Sequence, residues 1–438
     1  MSYAAGLPLQ RIFKGGLIMK KNPLVFLIIT VVLFISGCSS ASEELPDTYV
    51  EGSDFQYMYL GMSNFPLVQK GEEGYYFLWN NFIYYYDERQ EIIVPLCSKA
   101  DCLHDQETDQ EKLEACNAYI DCLVDTGIAY SDGNIYCVEM GTGREPSVLY
   151  RVSSDGSRKE KLYEWKEEGR QLVHWIVHRD VLYYTVNSYS VNDEEIEDYY
   201  AFCCIPLSGR SKLKEKQIYE PESGVDIVAF GTPTAYGNHI YFSLIGNREG
   251  WDGSDETGLD YIYNKTFVYD IRTDEIAEIT IPDQAASETI GGVAFWKDKI
   301  IFTPFDGKRG YLADGDWYIA ELDGSDPQIL LTTKQGYNLF SDGKYLYLSN
   351  ANMNQLGKDE SPKLYRVYDE DMEEIDTFTT DDLTPTDFAI GNPEKCYRVY
   401  YTDDGEFGLT CWDKSVIGSL NGAEIRFVDI PYSTAAKE

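Results

Sequence analysis

Four residues in one short stretch carry the most specific chemical signal in the chain. Cys97, Cys102, His104 and Cys116 follow a Cys-x4-Cys-x-His-x11-Cys spacing. Three thiolates and one imidazole suit a tetrahedral zinc ion, because soft sulfur and borderline nitrogen match that metal. The same residues suit a disulfide-stapled loop, and an exported location favours that outcome, since thiols outside the cytosol oxidise. Buried unpaired thiols are the third alternative, and the spacing leaves all three open. The chain has ten cysteines. Nine remain if Cys38 is modified as argued below, so at least one is free, metal-bound or paired between chains. Cys122 with Cys137, and Cys396 with Cys411, are further candidate bridges; the adjacent Cys203 and Cys204 point to opposite faces of a strand and are read as small buried hydrophobes.

Other candidate chemistry is weaker. His174 and His178 are four apart, but Leu172–His178 reads as a strand, so both are taken as structural or surface residues, and His239 as a turn residue. Acidic runs at 252–256, 314–316 and 403–406 could offer oxygen ligands, but none follows the EF-hand pattern. They are read as solvated hairpin turns, and no calcium site is assigned. A nucleophile elbow, a P-loop and a dinucleotide fingerprint are missing from the sequence, so catalytic residues stay unassigned.

The elements that must position these groups are strands. Seven times a turn is followed by an apolar-aromatic triplet: Ile83-Tyr84-Tyr85, Ile135-Tyr136-Cys137, Leu182-Tyr183-Tyr184, Ile240-Tyr241-Phe242, Ile300-Ile301-Phe302, Leu346-Tyr347-Leu348 and Val399-Tyr400-Tyr401. The mean spacing of about 53 residues is the length scale of a four-stranded propeller blade. A second hairpin recurs in several units, as in Leu149–Val152 leading to Asp155-Gly156 and Trp317–Ala320 leading to Asp323-Gly324, because a tight turn with positive φ suits Asp-Gly. The fold expected is an all-β propeller of seven four-stranded blades, with six or eight as alternatives. Tyr49–Leu60 reads as a strand that could close the ring with Glu424–Val428. Gln106–Ala118 could form at most a short helical turn.

The N-terminal region gives an address. Met19-Lys20-Lys21 precedes an eleven-residue apolar run, Leu24–Phe34, which is too short to span a bilayer and fits a signal peptide. Residues 1–18 are read as an over-called start. The following Ile35-Ser36-Gly37-Cys38 resembles the lipobox of bacterial lipoproteins. That resemblance makes Cys38 the diacylglycerol-modified first residue of the mature chain, and a diacyl group supplies two membrane-anchoring chains. The expected organisation is a signal peptide over 1–37, a lipidated tether over 38–47, the propeller over 48–432 and a tail over 433–438. Beyond residue 37 there are 33 basic and 74 acidic residues, a net of −41. So acidic a body repels phosphate backbones, which disfavours nucleic acid as a partner. With 36 Tyr and 43% hydrophobic residues, the chain is rich enough in apolar surface to build a large core.

The repeats, together with Pro95-Leu96-Cys97-Ser98-Lys99-Ala100-Asp101-Cys102-Leu103-His104 and Cys116-Asn117-Ala118-Tyr119, resemble predicted propeller lipoproteins of clostridial-type Firmicutes, a domain of unknown function related to TolB-like propellers. An acidic insertion, Asp105–Ala115, separates the two halves here. The resemblance implies fold and location, not an activity. The function expected is a membrane-tethered extracytoplasmic module that binds a ligand, glycan or partner protein. The alternative is an exported enzyme acting on carbohydrate or peptide at the channel mouth. Trp79, Trp175, Trp251, Trp296 and Trp317 are candidate aromatic platforms, or else packing between blades.

Overall fold

The structure is a computed structural model that describes residues 45–59, 68–121, 127–141, 146–166, 170–192, 195–208, 213–222, 227–247, 262–281, 289–290, 293–305, 315–333, 338–349, 363–380, 391–402 and 404–432. The leader, Cys38, Cys122, Trp251 and the acidic run at 252–256 lie outside the described residues. Among the described residues no helix is long and apolar enough to cross a membrane.

Antiparallel sheets follow one another along the chain as seven blades of a β-propeller. Blade 1 is Val68–Lys70, Gly74–Trp79, Phe82–Asp87 and Ile92–Pro95; blade 2 is Ala129–Ser131, Asn134–Glu139, Val148–Ser153 and Lys159–Glu164. Blade 3 is Arg170–His178, Val181–Asn192, Glu195–Pro206 and Lys216–Tyr219. In blade 4 the first position is shared by Ile227–Phe230 and Thr234–Tyr236, followed by His239–Asn247, Ile262–Asp270 and Glu275–Glu278. Blade 5 holds Ala294–Trp296, Lys299–Phe302, Gly315–Ala320 and Gln328–Thr333; blade 6 holds Asn338–Ser341, Leu346–Ser349, Lys363–Tyr368 and Glu374–Thr380. Blade 7 is described by Lys395–Tyr401, Phe407–Asp413 and Val428–Pro431, and residues 381–390 before it lie outside the described residues.

The blades stack because both faces of their second strands are apolar. Ile135, Leu182, Ile240, Ile300, Leu346 and Cys396 are fully buried on one face, and Tyr136, Tyr183, Tyr241, Ile301, Tyr347 and Tyr397 are buried on the other. Each face meets a different neighbour. Cys203 packs in a core between blades 2 and 3, while the adjacent Cys204 packs in the core between blades 3 and 4. This is the two-sided burial read from strand parity.

Two expectations shift, by one strand in blade 1 and by three residues along the same strand in blade 7. In blade 1 the triplet Ile83-Tyr84-Tyr85 lies on the third strand, and Tyr75-Tyr76 occupies the position equivalent to Ile135-Tyr136. In blade 7 the equivalent pair is Cys396-Tyr397, not Val399-Tyr400. Two-residue turns with positive φ are built without glycine at Asn80-Asn81, Arg179-Asp180 and Lys297-Asp298. The helix within 106–118 covers Gln110–Ala115, capped by the Asp109 carboxylate.

The predicted closing strand is not formed. Tyr57–Tyr59 is a turn of 3-10 helix, and Ala423–Glu424 pairs in parallel with the outer strand of blade 6. Among the described residues, blades 7 and 1 join through side chains. Tyr75 and Tyr397 lie 4.1 Å apart between ring centroids, and Glu88 accepts from Lys395 and from the Tyr397 hydroxyl at 2.8 Å each.

Candidate functional site: a strapped end, an aromatic rim and a thiol–imidazole cluster

Residues 46–59 cross the end of the propeller that carries the turns between first and second strands, and they touch every blade. Gln56 exchanges two hydrogen bonds with the Lys70 backbone of blade 1, at 2.7 and 2.8 Å. The Asp132 amide of blade 2 donates to Gly52 O, and the Arg179 amide of blade 3 to Ser53 O. The Asn238 amide of blade 4 donates to Asp47 Oδ1 at 2.9 Å. Tyr57 packs on Phe295 of blade 5, centroids 5.1 Å apart, and its hydroxyl lies where a side chain on Gly343 of blade 6 would begin. In blade 7 the Gly391 amide donates to Met58 O, and Asn392 Nδ2 donates to the Tyr59 hydroxyl at 2.9 Å. Gly237 (φ +58) completes the fit, since a Cβ there would stand 2.8 Å from the Asp47 carboxylate.

Arg179 and His178 anchor this strap. The Arg179 guanidinium grips Asp54 through Nε (2.7 Å) and Nη2 (3.1 Å), and both side chains are buried. It also donates to Asn238 and to the carbonyls of Pro46 and Thr48. Burial holds His178 neutral, with its pKa lowered to about 4. Its Nδ1 accepts from the Phe55 amide at 3.0 Å, and its Nε2 faces Gly237 O at 2.8 Å, which assigns the proton to Nε2. His239, expected in a turn, opens a strand and is buried near Asp47 (3.3 Å) and Asp270 (3.9 Å). The sequence marked His178 as a structural or surface residue and His239 as a turn residue, with no signal that they meet residues 46–59. Beside the strap lies a cavity of about 370 Å³ whose lining includes Tyr49, Gln56, Tyr59, Lys70 and Asn392.

The opposite end carries an aromatic rim. Trp79 ends the second strand of blade 1 and stacks on Tyr401, which ends the second strand of blade 7, with centroids 4.8 Å apart and planes at 24°. Phe407 lies 5.9 Å from Trp79, and Tyr401 is 68% exposed. Trp175, Trp296 and Trp317 are buried instead, so the packing reading holds for them.

The third site lies at the junction of blades 1 and 2. After Pro95 the chain leaves blade 1, forms the short helix and returns at Ala118, whose carbonyl accepts from Ile83. One ligand atom from each of Cys97, Cys102, His104 and Cys116 lies within 4.8 Å of the others, and Cys116 Sγ is 3.7 Å from His104 Nδ1. Cys97, Cys102 and Cys116 are free thiols. His104 reaches the cluster from a left-handed backbone, φ +52, a conformation that costs a non-glycine residue energy. Burial alone would raise the Cys97 thiol, but amides of Lys99 and Asn117 and the thiols of Cys116 and Cys102 outweigh it, and the net shift is downward. Burial pushes Cys116 up to about 12. Blade 2 clamps the loop: Gly156 O accepts from Ser98 N and Asn117 Nδ2, and Lys159 Nζ donates to Glu114 O and Tyr119 O at 2.9 Å. A Cβ at Gly156 (φ +68) would lie 2.8 Å from the Cys97 amide nitrogen.

The remaining cysteine proposal fails on register. Cys396 pairs with Trp412 and Cys411 with Tyr397, so the two sulfurs face opposite sides of the sheet and cannot bridge. The Asp404-Gly405 pair is a tight exposed hairpin turn, as read.

This fold and its strapped end define a seven-bladed β-propeller sealed at one end by its own N-terminal segment. No protein-family profile matches the chain, and no curated protein does. Among solved structures it is similar to the tricorn protease (10% identity, TM-score 0.48, 87% of this chain and 35% of that one). It is also similar to an oligogalacturonate lyase in complex with manganese (12%, 0.45, 84% and 86%) and to the uncharacterized protein lmo1340 from Listeria monocytogenes (11%, 0.41, 69% and 82%). The chain thus spans about a third of the tricorn protease's length. Likenesses at this level carry no statement about activity.

Proposed function

We propose that the chain is a lipid-anchored extracytoplasmic binding module whose strapped end faces the membrane and whose aromatic rim faces outward. The observation that carries this reading is the strap. It begins eight residues after Cys38, and eight extended residues reach at most about 28 Å. An acyl group on Cys38 therefore keeps the strapped end close to the bilayer and leaves the opposite end free. At that end Trp79 and Tyr401 offer stacked apolar area with polar edges, which suits a sugar ring. The His–carboxylate ion-pair contacts among the described residues, His239 with Asp47 and Asp270, lie at the strapped end and not at the rim.

Two measurements test the proposal. Cys38→Ser is expected to yield an unacylated chain released into the medium; unchanged acylation and membrane retention would refute the anchor. In a saccharide-binding panel, Trp79→Ala and Tyr401→Ala are each expected to weaken binding about tenfold, the scale of one lost aromatic contact. Binding unaffected by either variant, or no saccharide bound at all, removes the rim from the reading.

A further inference from the structure

We propose that Cys97, Cys102, His104 and Cys116 form a structural zinc site that locks the 96–120 loop between blades 1 and 2. Zinc bonded to sulfur at about 2.3 Å and to nitrogen at about 2.05 Å in a tetrahedron sets ligand-to-ligand edges of about 3.6–3.8 Å. The observed Sγ–Nδ1 separation of 3.7 Å falls on that edge, and all four ligand atoms lie within 4.8 Å of one another. A disulfide would use two of the three sulfurs. It would not account for the convergence of a third thiol and an imidazole on the same point, which His104 reaches with a costly left-handed backbone.

The surroundings fit a thiolate-rich centre. Amides of Lys99 and Asn117 point at the Cys97 sulfur, and the Ala118 amide at Cys116. Lys99 and Ala118 each follow their cysteine by two residues, so the local turns supply the N–H···S bonds that orient metal-bound thiolates. Three thiolates with one divalent ion leave a net charge of −1. Lys159, half-buried on blade 2 and interacting with both Cys116 and Cys97, balances it. The ligand set is closed, three sulfurs and one nitrogen with no open position, which is the form of a structural site and not a catalytic one. Loading is a plain exchange: Zn²⁺ enters, the thiols give up their protons to solvent, and nothing is oxidised.

The consequence is mechanical. Leu96, Cys116, Ala118 and Ile120 belong to the apolar core between the two blades, so the metal ties a polar loop to that core and to the Gly156 turn of the next blade.

The test uses the detergent-solubilised mature protein purified without chelator. Metal analysis is expected to give one zinc per chain, and Co²⁺ substitution the ligand-field bands of a tetrahedral thiolate site. Cys116→Ser is expected to lose the metal, whereas Cys204→Ser, in the separate core between blades 3 and 4, keeps it. If Cys116→Ser does not fold, chelation of the wild type supplies the same readout through zinc release and a lowered melting temperature. Metal-free protein in which mass spectrometry finds two of the three thiols joined would overturn the proposal, and so would three free thiols that bind neither Zn²⁺ nor Co²⁺. The outcome is independent of the membrane and saccharide assays.

Discussion

Asp54→Ala probes the strap most directly. The carboxylate and the Arg179 guanidinium are both buried, 0% and 4% exposed, and removing one partner of a buried pair leaves an uncompensated charge that costs about 3–5 kcal/mol. Arg179 would keep its bonds to Asn238 and to the Pro46 and Thr48 carbonyls, which places the expected loss toward the lower end, about 3–4 kcal/mol. Unfolding entropy of about 2.1 cal/mol/K per residue, over roughly 390 residues, gives about 0.8 kcal/mol/K, so the melting midpoint should fall by about 4–5 °C. The assay is scanning calorimetry at pH 7 and one fixed scan rate, since a chain of this size unfolds under partly kinetic control. Arg179→Met should cost a similar amount, and the double variant clearly less than the sum of the two. Arg89→Ala is the control, because its exposed pair with Glu73 contributes under about 1 kcal/mol. Midpoints within 1 °C of wild type for both single variants, or strict additivity in the double, would refute the claim that this pair holds the strap.

The pH and charge behaviour of the core supply further checks. His178, with its pKa lowered to about 4 by burial, binds its proton less readily folded than unfolded. Its contribution is therefore full above pH 6.5 and fades as pH falls toward 4, by up to about 3 kcal/mol. His178→Asn should flatten that slope in denaturant titrations at pH 4.5–7; an unchanged slope removes His178 as its source. At the junction of blades 6 and 7, Lys414 and Asp342 are fully buried at 2.8 Å. Asp342 also accepts from two amides and the Tyr347 hydroxyl. Lys414→Met should thus cost less than Asp342→Ala, which strands the ammonium, and urea midpoints in the reverse order would contradict this.

The repeat of turn, apolar residue and aromatic was legible because a blade pressed between two others must be apolar on both faces, and few other folds demand that every fifty residues. The unit slipped by a strand at Ile83 because adjacent strands of one blade share the same pattern, and by three residues at Val399 because Lys395–Tyr401 repeats that pattern within itself. The strap was misread for a related reason. Phe55, Tyr57 and Tyr59 alternate like a strand, yet Phe55 packs with blades 3 and 4, Tyr57 with blades 4 to 6 and Tyr59 with blades 1 and 7, and periodicity cannot encode partners that arrive from far along the chain. Arg179 and His178 stood in the sequence as an ordinary turn and strand end. Only the docking of residues 46–59 gives them a task. The Cys97–Cys116 cluster was found from residue type and spacing alone, but its choice among chemistries depended on distances.

The strap also orders the history of the molecule. Tyr59 meets Asn392 across 333 positions of chain, so residues made early gain their last partners only when the final blade is complete. Closing so long a loop yields little until the intervening sheets already hold the ends near each other. Seating the segment is therefore a late event that reports a finished ring. A chain truncated before residue 391 would keep the Arg179–Asp54 anchor but lose the Met58 and Tyr59 contacts with Gly391 and Asn392, so the last residues of the strap serve as a built-in check that the seventh blade has arrived.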